Sequence, residues 1–348
     1  MPPSEPPPRV PGCPVTDAAR DRLINPLGAF GAFAHPATLI LLGLALVPLV
    51  VGPVFLRVAR KRITTQTRHD ARRRARGWLM VVPAMAAPVL LGAAWVIVGA
   101  AALSALCFRD FARVTGLFRE KLICYVVLLG MAVIQFAALD NYPGLFAAAF
   151  PLTIACVAGF AAAQDRPKGY LQRTALGIVA FALFGSCLGH LSYLANDPEY
   201  RPKLALVLVA VGFWDVARYV VGKTVRGRQL APHTTPDRTV AGSAAGAVVV
   251  LLLVYAVGPL VFAGTDLENP LPLLTLGVLL AVAAQLGDLM LASIKRDTGV
   301  ETLDNVIPGH GGVLDRFDSL ILVAPVAYHG MSFFGGLNVG GAVRIFTG

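Results

Sequence analysis

Asp288, Asp315 and Asp318 share the last third of a 348-residue chain with Lys295, Arg296 and the run Pro308-Gly309-His310-Gly311-Gly312. Carboxylates that meet at one point repel unless a cation neutralises them. An all-oxygen set of this kind suits Mg²⁺, which keeps some waters and takes substrate phosphates as further ligands. Asp315 and Asp318 are three apart, so on one helical turn they face the same way. The plainer alternative is a solvated helix start with Asp315 paired to Arg316. Asp288 follows Gln285-Leu286-Gly287 at the end of an apolar stretch, where an ionised side chain is expensive and usually functional. The three glycines permit positive φ and close approach of backbone N–H groups to an anion, although a flexible loop would need them as well. Lys295 and Arg296 either bind phosphates or anchor a helix end at the membrane surface.

A second polar group lies upstream. Asp215 and Arg218 are three apart inside an apolar stretch, and Tyr219, Gly222 and Lys223 follow. Then come Leu230-Ala231-Pro232 and Thr235-Pro236-Asp237-Arg238-Thr239. Asp215 with Arg218 reads as a buried pair or as the wall of a polar pocket. His190 and His329 lie in apolar runs and read as packed or hydrogen-bonded residues with no catalytic role.

The elements that must position these side chains are membrane helices. The chain is 56% hydrophobic and only 14% charged, with a mean hydropathy of +0.68. A soluble domain carries charge nearer a quarter of its residues. The fold class is therefore all-α, a polytopic membrane protein of about nine or ten spans. The spans fall near 36–56, 78–91, 92–108, 122–139, 142–163, 174–195, 203–221, 240–263, 271–292 and 319–336. Residues 78–108 are too long for one span and too short for two full ones, and they read as a short hairpin or re-entrant pair. That reading puts 57–77, 109–121, 164–173, 222–238 and 293–318 on the cytoplasmic side. These segments hold 23 of the 30 Lys and Arg, with six outside and Arg218 within a span. Both unusual polar clusters fall on the cytoplasmic side.

Residues 1–35 are Pro-rich and read as a disordered tail. The net charge of +10 is explained by the positive-inside rule, and no basic patch interleaved with aromatics argues for nucleic acid. The five cysteines form no CxxC pair and read as small apolar packing residues.

The ordered series Ser293, Lys295-Arg296, Pro308-Gly309-His310-Gly311-Gly312, Asp315-Arg316, Asp318 resembles the signature of the phosphatidate cytidylyltransferases, also called CDP-diacylglycerol synthases. Gly287-Asp288 and the Leu230 and Thr235 segments are similar to further steps of that signature. The likeness covers roughly 205–320 and extends to about 78. Residues 36–77, one helix and a basic loop, look like an addition, and 78–348 is the cytidylyltransferase-like membrane domain. The resemblance implies a bacterial inner-membrane enzyme, homodimeric, that faces the cytoplasm. It would use CTP and phosphatidate with Mg²⁺, and the family's metal site is associated with K⁺ as well. Carried over, Asp288, Asp315 and Asp318 match metal-site acids that act in catalysis with Lys295. Lys295, Arg296, His310, Gly311, Gly312, Arg316, Arg238, Thr239, Lys223 and Asp215 fall in segments that would bind CTP and its phosphates.

Two positions depart from the signature. Glu301-Thr302 replaces the family's Lys-Asp, and Thr-Pro-Asp-Arg-Thr replaces its Ser-Pro-x-Lys-Thr. Arg is not a neutral exchange for Lys. The change at Glu301-Thr302 keeps two alternatives open. One is a CTP-dependent enzyme acting on another lipid phosphate or a polyprenol. The other is a non-catalytic membrane protein such as a transporter.

Overall fold

In a computed structural model, residues 35–58, 65–225, 227–300, 303, 311–337 and 344–347 are described, with side chains at 35–47 and from 77 onward. Helix α1 (Pro36–Val58) packs on α2 (Thr65–Leu91). The basic stretch expected as a loop at 57–77 is helical from Thr65, as its Arg and Ala residues favour. Helix α3 (Ala93–Thr115) follows a single-residue break at Gly92, whose φ of 138° only glycine adopts readily. Residues 78–108 are thus two helical arms joined at Gly92, as the charge pattern required.

Four further helices and a hairpin lead to the second polar segment. They are α4 (Lys121–Leu139), α5 (Pro143–Ala162), α6 (Tyr170–Leu194, with a π-helical stretch at Phe181–Cys187) and α7 (Tyr200–Thr224). The chain then forms a hairpin not expected of an all-α protein, β1 (Gln229–Ala231) paired antiparallel with β2 (Thr235–Thr239). Pro232 and Pro236 cannot continue α7, and Thr235 and Thr239 favour extended backbone. Helices α8 (Val240–Val261) and α9 (Pro270–Thr298) follow, then the short α10 (Val313–Arg316) and α11 (Asp318–Phe333).

Among the described residues, seven helices, α3 to α9, are long and apolar enough to cross a membrane. The chain is an all-α, multi-pass membrane protein. The expected nine or ten spans would also require α1, the apolar half of α2 and the 16-residue α11. The most extensive packing joins α7 to α8 and α9 to α11, and α7, α9 and α11 carry the acids of the polar clusters. His190 and His329 meet at 3.2 Å between ring nitrogens, away from those clusters.

At the far end of α4, the fully buried Asp140 captures the C-terminal segment. Its carboxylate accepts the backbone N–H groups of Ile345, Phe346 and Thr347 at 3.0, 2.5 and 3.3 Å, and the Thr347 hydroxyl. Phe346 stacks on Phe136, and Arg344 lies 4.0 Å over the Tyr142 ring. Burial pushes the Asp140 carboxyl up, but the four hydrogen bonds outweigh it and hold it below the ordinary aspartate value. Because the folded value is depressed, its stabilisation is full above about pH 4 and is lost as pH falls through the folded value. Asp140→Asn should cost about 2 kcal/mol at neutral pH, the scale of a hydrogen-bonded charge. Thermal unfolding between pH 3 and 7 checks this: the wild type should lose stability at the acid end and the variant should not.

Candidate functional site

Three of the acids converge. Asp215 on α7, Asp288 on α9 and Asp318 at the start of α11 each offer a carboxylate oxygen, all within 4.8 Å of one another. Asp288 is fully buried and Asp318 is 6% exposed. Three guanidiniums balance them. Arg218 on α7 reaches Asp288 at 2.7 Å and Asp215 at 3.3 Å. Arg238, carried in by β2, lies 3.2 Å from Asp288 and 3.9 Å from Asp318. Arg316 on α10 pairs with Asp215. Trp214 donates its indole N–H to Asp288 at 3.4 Å.

The expected trio was Asp288, Asp315 and Asp318, and the structure brings Asp215 into the cluster in place of Asp315. The spacing rule assumed one continuous helical turn. Phe317, with φ −110° and ψ 18°, breaks the helix between α10 and α11, so Asp315 and Asp318 do not share a face. The Asp315 carboxylate turns to Lys295 and to the backbone N–H groups of Gly312 and Leu303 at 2.8 and 3.0 Å. It therefore ties the glycine-rich loop to the end of α9. Arg316, the alternative partner for Asp315, pairs with Asp215.

The remaining predicted residues distribute around this core. Arg296 donates to the Thr234 carbonyl at 3.2 Å and so fastens the hairpin turn to α9. Thr239 caps α8, its hydroxyl accepting the Gly242 N–H at 3.1 Å. Lys223 is exposed at the end of α7. Gly311 takes φ 92°, and Gly312 starts α10. His310, Pro308, Gly309, Glu301 and Thr302 lie outside the described residues.

Sequence reasoning gave no signal for Asp110. It is fully buried on α3, pairs with Arg109 at 3.0 Å and accepts the Leu314 N–H at 3.2 Å. It holds α10, and with it Arg316, from a partner more than two hundred residues away. A buried carboxylate near a predicted helix end was the available clue, but Asp110 beside Arg109 looks like a surface pair.

Two glycines make the convergence sterically feasible. A Cβ on Gly287 would stand 2.6 Å from the Asp318 carbonyl oxygen and 2.9 Å from the Ser319 Cα. A Cβ on Gly242 would stand 2.8 Å from the Arg218 carbonyl oxygen. Small residues are how membrane helices approach one another closely. Here the close approaches fall beside Asp288, Asp318 and Arg218.

The polar balance is incomplete. Asp288 Oδ1, Arg218 Nε and Arg316 Nε are buried without a hydrogen-bond partner. Burial of its guanidinium, and Arg218 beside it, hold Arg238 below the ordinary arginine value despite the nearby carboxylates. Orphaned buried polar atoms each cost about 1–3 kcal/mol. A ligand offering both a cation for the carboxylate and an anion for the guanidiniums would satisfy them. The three carboxylates, all hard oxygen donors, fit a divalent metal of the Mg²⁺ kind.

Fold and site together define a multi-pass membrane protein with a buried cluster of carboxylates and guanidiniums among its helices. The family model for the cytidylyltransferase family matches residues 72–334, three quarters of the chain, and the chain belongs to that family. Among curated proteins, it is 34% identical over 160 residues to the phosphatidate cytidylyltransferase of Bacillus subtilis (strain 168), covering 45% of this chain and 57% of that one. It is 35% identical over 141 residues to the enzyme of the same name from Rickettsia bellii, covering 40% and 61%. It is 33% identical over 168 residues to the uncharacterised protein YnbB of Escherichia coli (strain K12), covering 47% and 55%. The chain thus spans little more than half the length of the curated relatives it matches.

Gly287→Ala tests whether close approach builds the site. Overpacking there should cost about 1–3 kcal/mol and move α11 off α9. The prediction is a lower melting temperature in detergent and loss of any stabilisation by Mg²⁺ and CTP. Gly159→Ala, where a Cβ meets nothing within 4 Å, should leave both unchanged.

Proposed function

We propose that the chain transfers a cytidylyl group from CTP to phosphatidate, giving CDP-diacylglycerol and pyrophosphate, at the Asp215–Asp288–Asp318 cluster. A phosphate oxygen of the lipid attacks the α-phosphorus of CTP. The bond from that phosphorus to the oxygen bridging to the β-phosphate breaks, and pyrophosphate leaves. The lipid phosphate is itself the nucleophile, so no side-chain nucleophile is needed. Catalysis is then positioning and neutralisation of charge on the phosphates.

The observation that carries this reading is the convergence of Asp215, Asp288 and Asp318 within 4.8 Å, together with buried polar atoms there that lack a hydrogen-bond partner, Asp288 Oδ1, Arg218 Nε and Arg316 Nε. Asp215, Asp288 and Asp318 would hold Mg²⁺, which when bound supplies charge neutralisation at the phosphate oxygens. Arg218 and Arg238 face each other's charge, and a phosphate seated between them would relieve that repulsion. Arg316 would take a second phosphate group, and its stacking 4.1 Å over the Trp78 ring fixes its plane. Lys295 pairs with Asp315, which holds Gly312 and Leu303 by their backbone N–H groups. The inside-positive charge pattern supports a cytoplasmic position for the site, where CTP is available, with the lipid arriving from the adjoining leaflet.

The test is incubation of the purified protein with labelled CTP, Mg²⁺ and short-chain phosphatidate, read as labelled CDP-lipid. Product should form, should stop with EDTA, and should fall by about a hundredfold or more in Asp288→Asn, the scale of a lost electrostatic catalytic group. Full activity in that variant, or in EDTA, would overturn the assignment. Product from another lipid phosphate but not from phosphatidate would move the acceptor and leave the site in place.

A further inference from the structure

A groove of about 690 Å³ runs along the bundle between α1, α2 and α7 and ends at α10 and α11. Leu41 and Ala45 of α1, Met85 and Ala86 of α2 and Leu208 of α7 are typical of its walls. Arg316 is the only charged side chain among the lining residues, and it closes one end. The same Arg316 pairs with Asp215 and lies over Trp78, another lining residue. The groove therefore meets the charge cluster at a single guanidinium.

Its length and direction are informative. From Trp78 to Val89 the α2 wall rises about 17 Å at 1.5 Å per residue. The hydrocarbon of one leaflet is about 15 Å deep, half of a core of about 30 Å. Trp78 stands at the charged end and Val89 close to Tyr200, at the opposite end of α7. An apolar channel of one leaflet's depth, with a cation at its mouth, has the shape and charge of a bound acyl chain below its phosphate.

We infer that this groove holds one acyl chain of the lipid substrate with its phosphate at Arg316, and that α1 is a wall that sets which chains fit. This deepens the proposed cytidylyltransfer to phosphatidate and rests on that reading for the identity of the headgroup. Helix α1 lies before residue 72, where the family match begins. Chain selection would therefore depend on a segment that the family model does not cover. Gly212 contributes from the opposite wall: a Cβ there would stand 3.1 Å from the Trp78 ring, so glycine lets the ring lie flat against α7 at the groove's mouth.

The experiment uses the full chain in nanodiscs with a phosphatidate carrying a diazirine midway along one acyl chain. Illumination followed by peptide mass spectrometry reads the labelled residues without requiring turnover. Label should fall on the groove faces of α1, α2 and α7, and unlabelled phosphatidate should compete it away. Ala45→Trp and Ala86→Trp should each lower that label about tenfold, while Leu252→Trp, on an exposed face of α8, should not. In parallel, both groove variants should reduce the ratio of long-chain to short-chain turnover. Label confined to exposed faces, or a cross-link showing a second copy's helix in the groove, would overturn the inference. Specific groove labelling without CDP-lipid formation would uphold the lipid site and count against the proposed reaction instead.

Discussion

Three carboxylates and three guanidiniums share one buried point where α7, β2, α9 and the α10–α11 junction meet, and much of the molecule is arranged to permit this. No member can be buried alone, because an unpaired charge in such surroundings is far costlier than the pair. Asp215 and Arg218 come from one helix, but Asp288, Arg238, Arg316 and Asp318 come from segments up to about a hundred residues apart. The network therefore fastens the ends of the polar helices to one another. Its stabilising value is modest, since desolvation offsets much of the attraction. Its effect is on arrangement: the pairs form only when α7, β2, α9 and the α10–α11 junction meet.

That placement depends on backbone contact. Within a bilayer, lipid tails are as apolar as leucine, so helices gain little from the hydrophobic effect and associate through close packing. Gly287 and Gly242 supply it where α9 meets α11 and where α8 meets α7. Asp110 adds a hydrogen bond from α3 that holds the short helix bearing Arg316. The hairpin is the one departure from helix within the bundle's site, and it brings Arg238 to a position that a helix continuing from α7 would carry away from the acids.

The membrane fold was legible because its signals are strong and one-dimensional. Long apolar runs act through local chemistry, and the structure follows them within a few residues at α4, α8 and α9. The residues around Asp288 and Asp318 were legible for the same reason, since an acid at the end of an apolar helix is unusual. Membership of the acid cluster was not, because it depended on a break at Phe317 that spacing does not reveal. Asp215 was marked as a polar residue in a span, yet its role as a cluster member required knowing that α7 lies against α9. Asp110 gave no signal at all, because its partner is a backbone N–H far along the chain.

The central claim is that Asp215, Asp288 and Asp318 form the metal-binding trio, with Asp315 a loop anchor. Mn²⁺ binding followed by electron paramagnetic resonance on the purified protein tests it directly, using Asp215→Asn beside Asp315→Asn. The account predicts a bound Mn²⁺ signal in the wild type that disappears in Asp215→Asn and persists in Asp315→Asn. Loss of the signal in Asp315→Asn with retention in Asp215→Asn would contradict it.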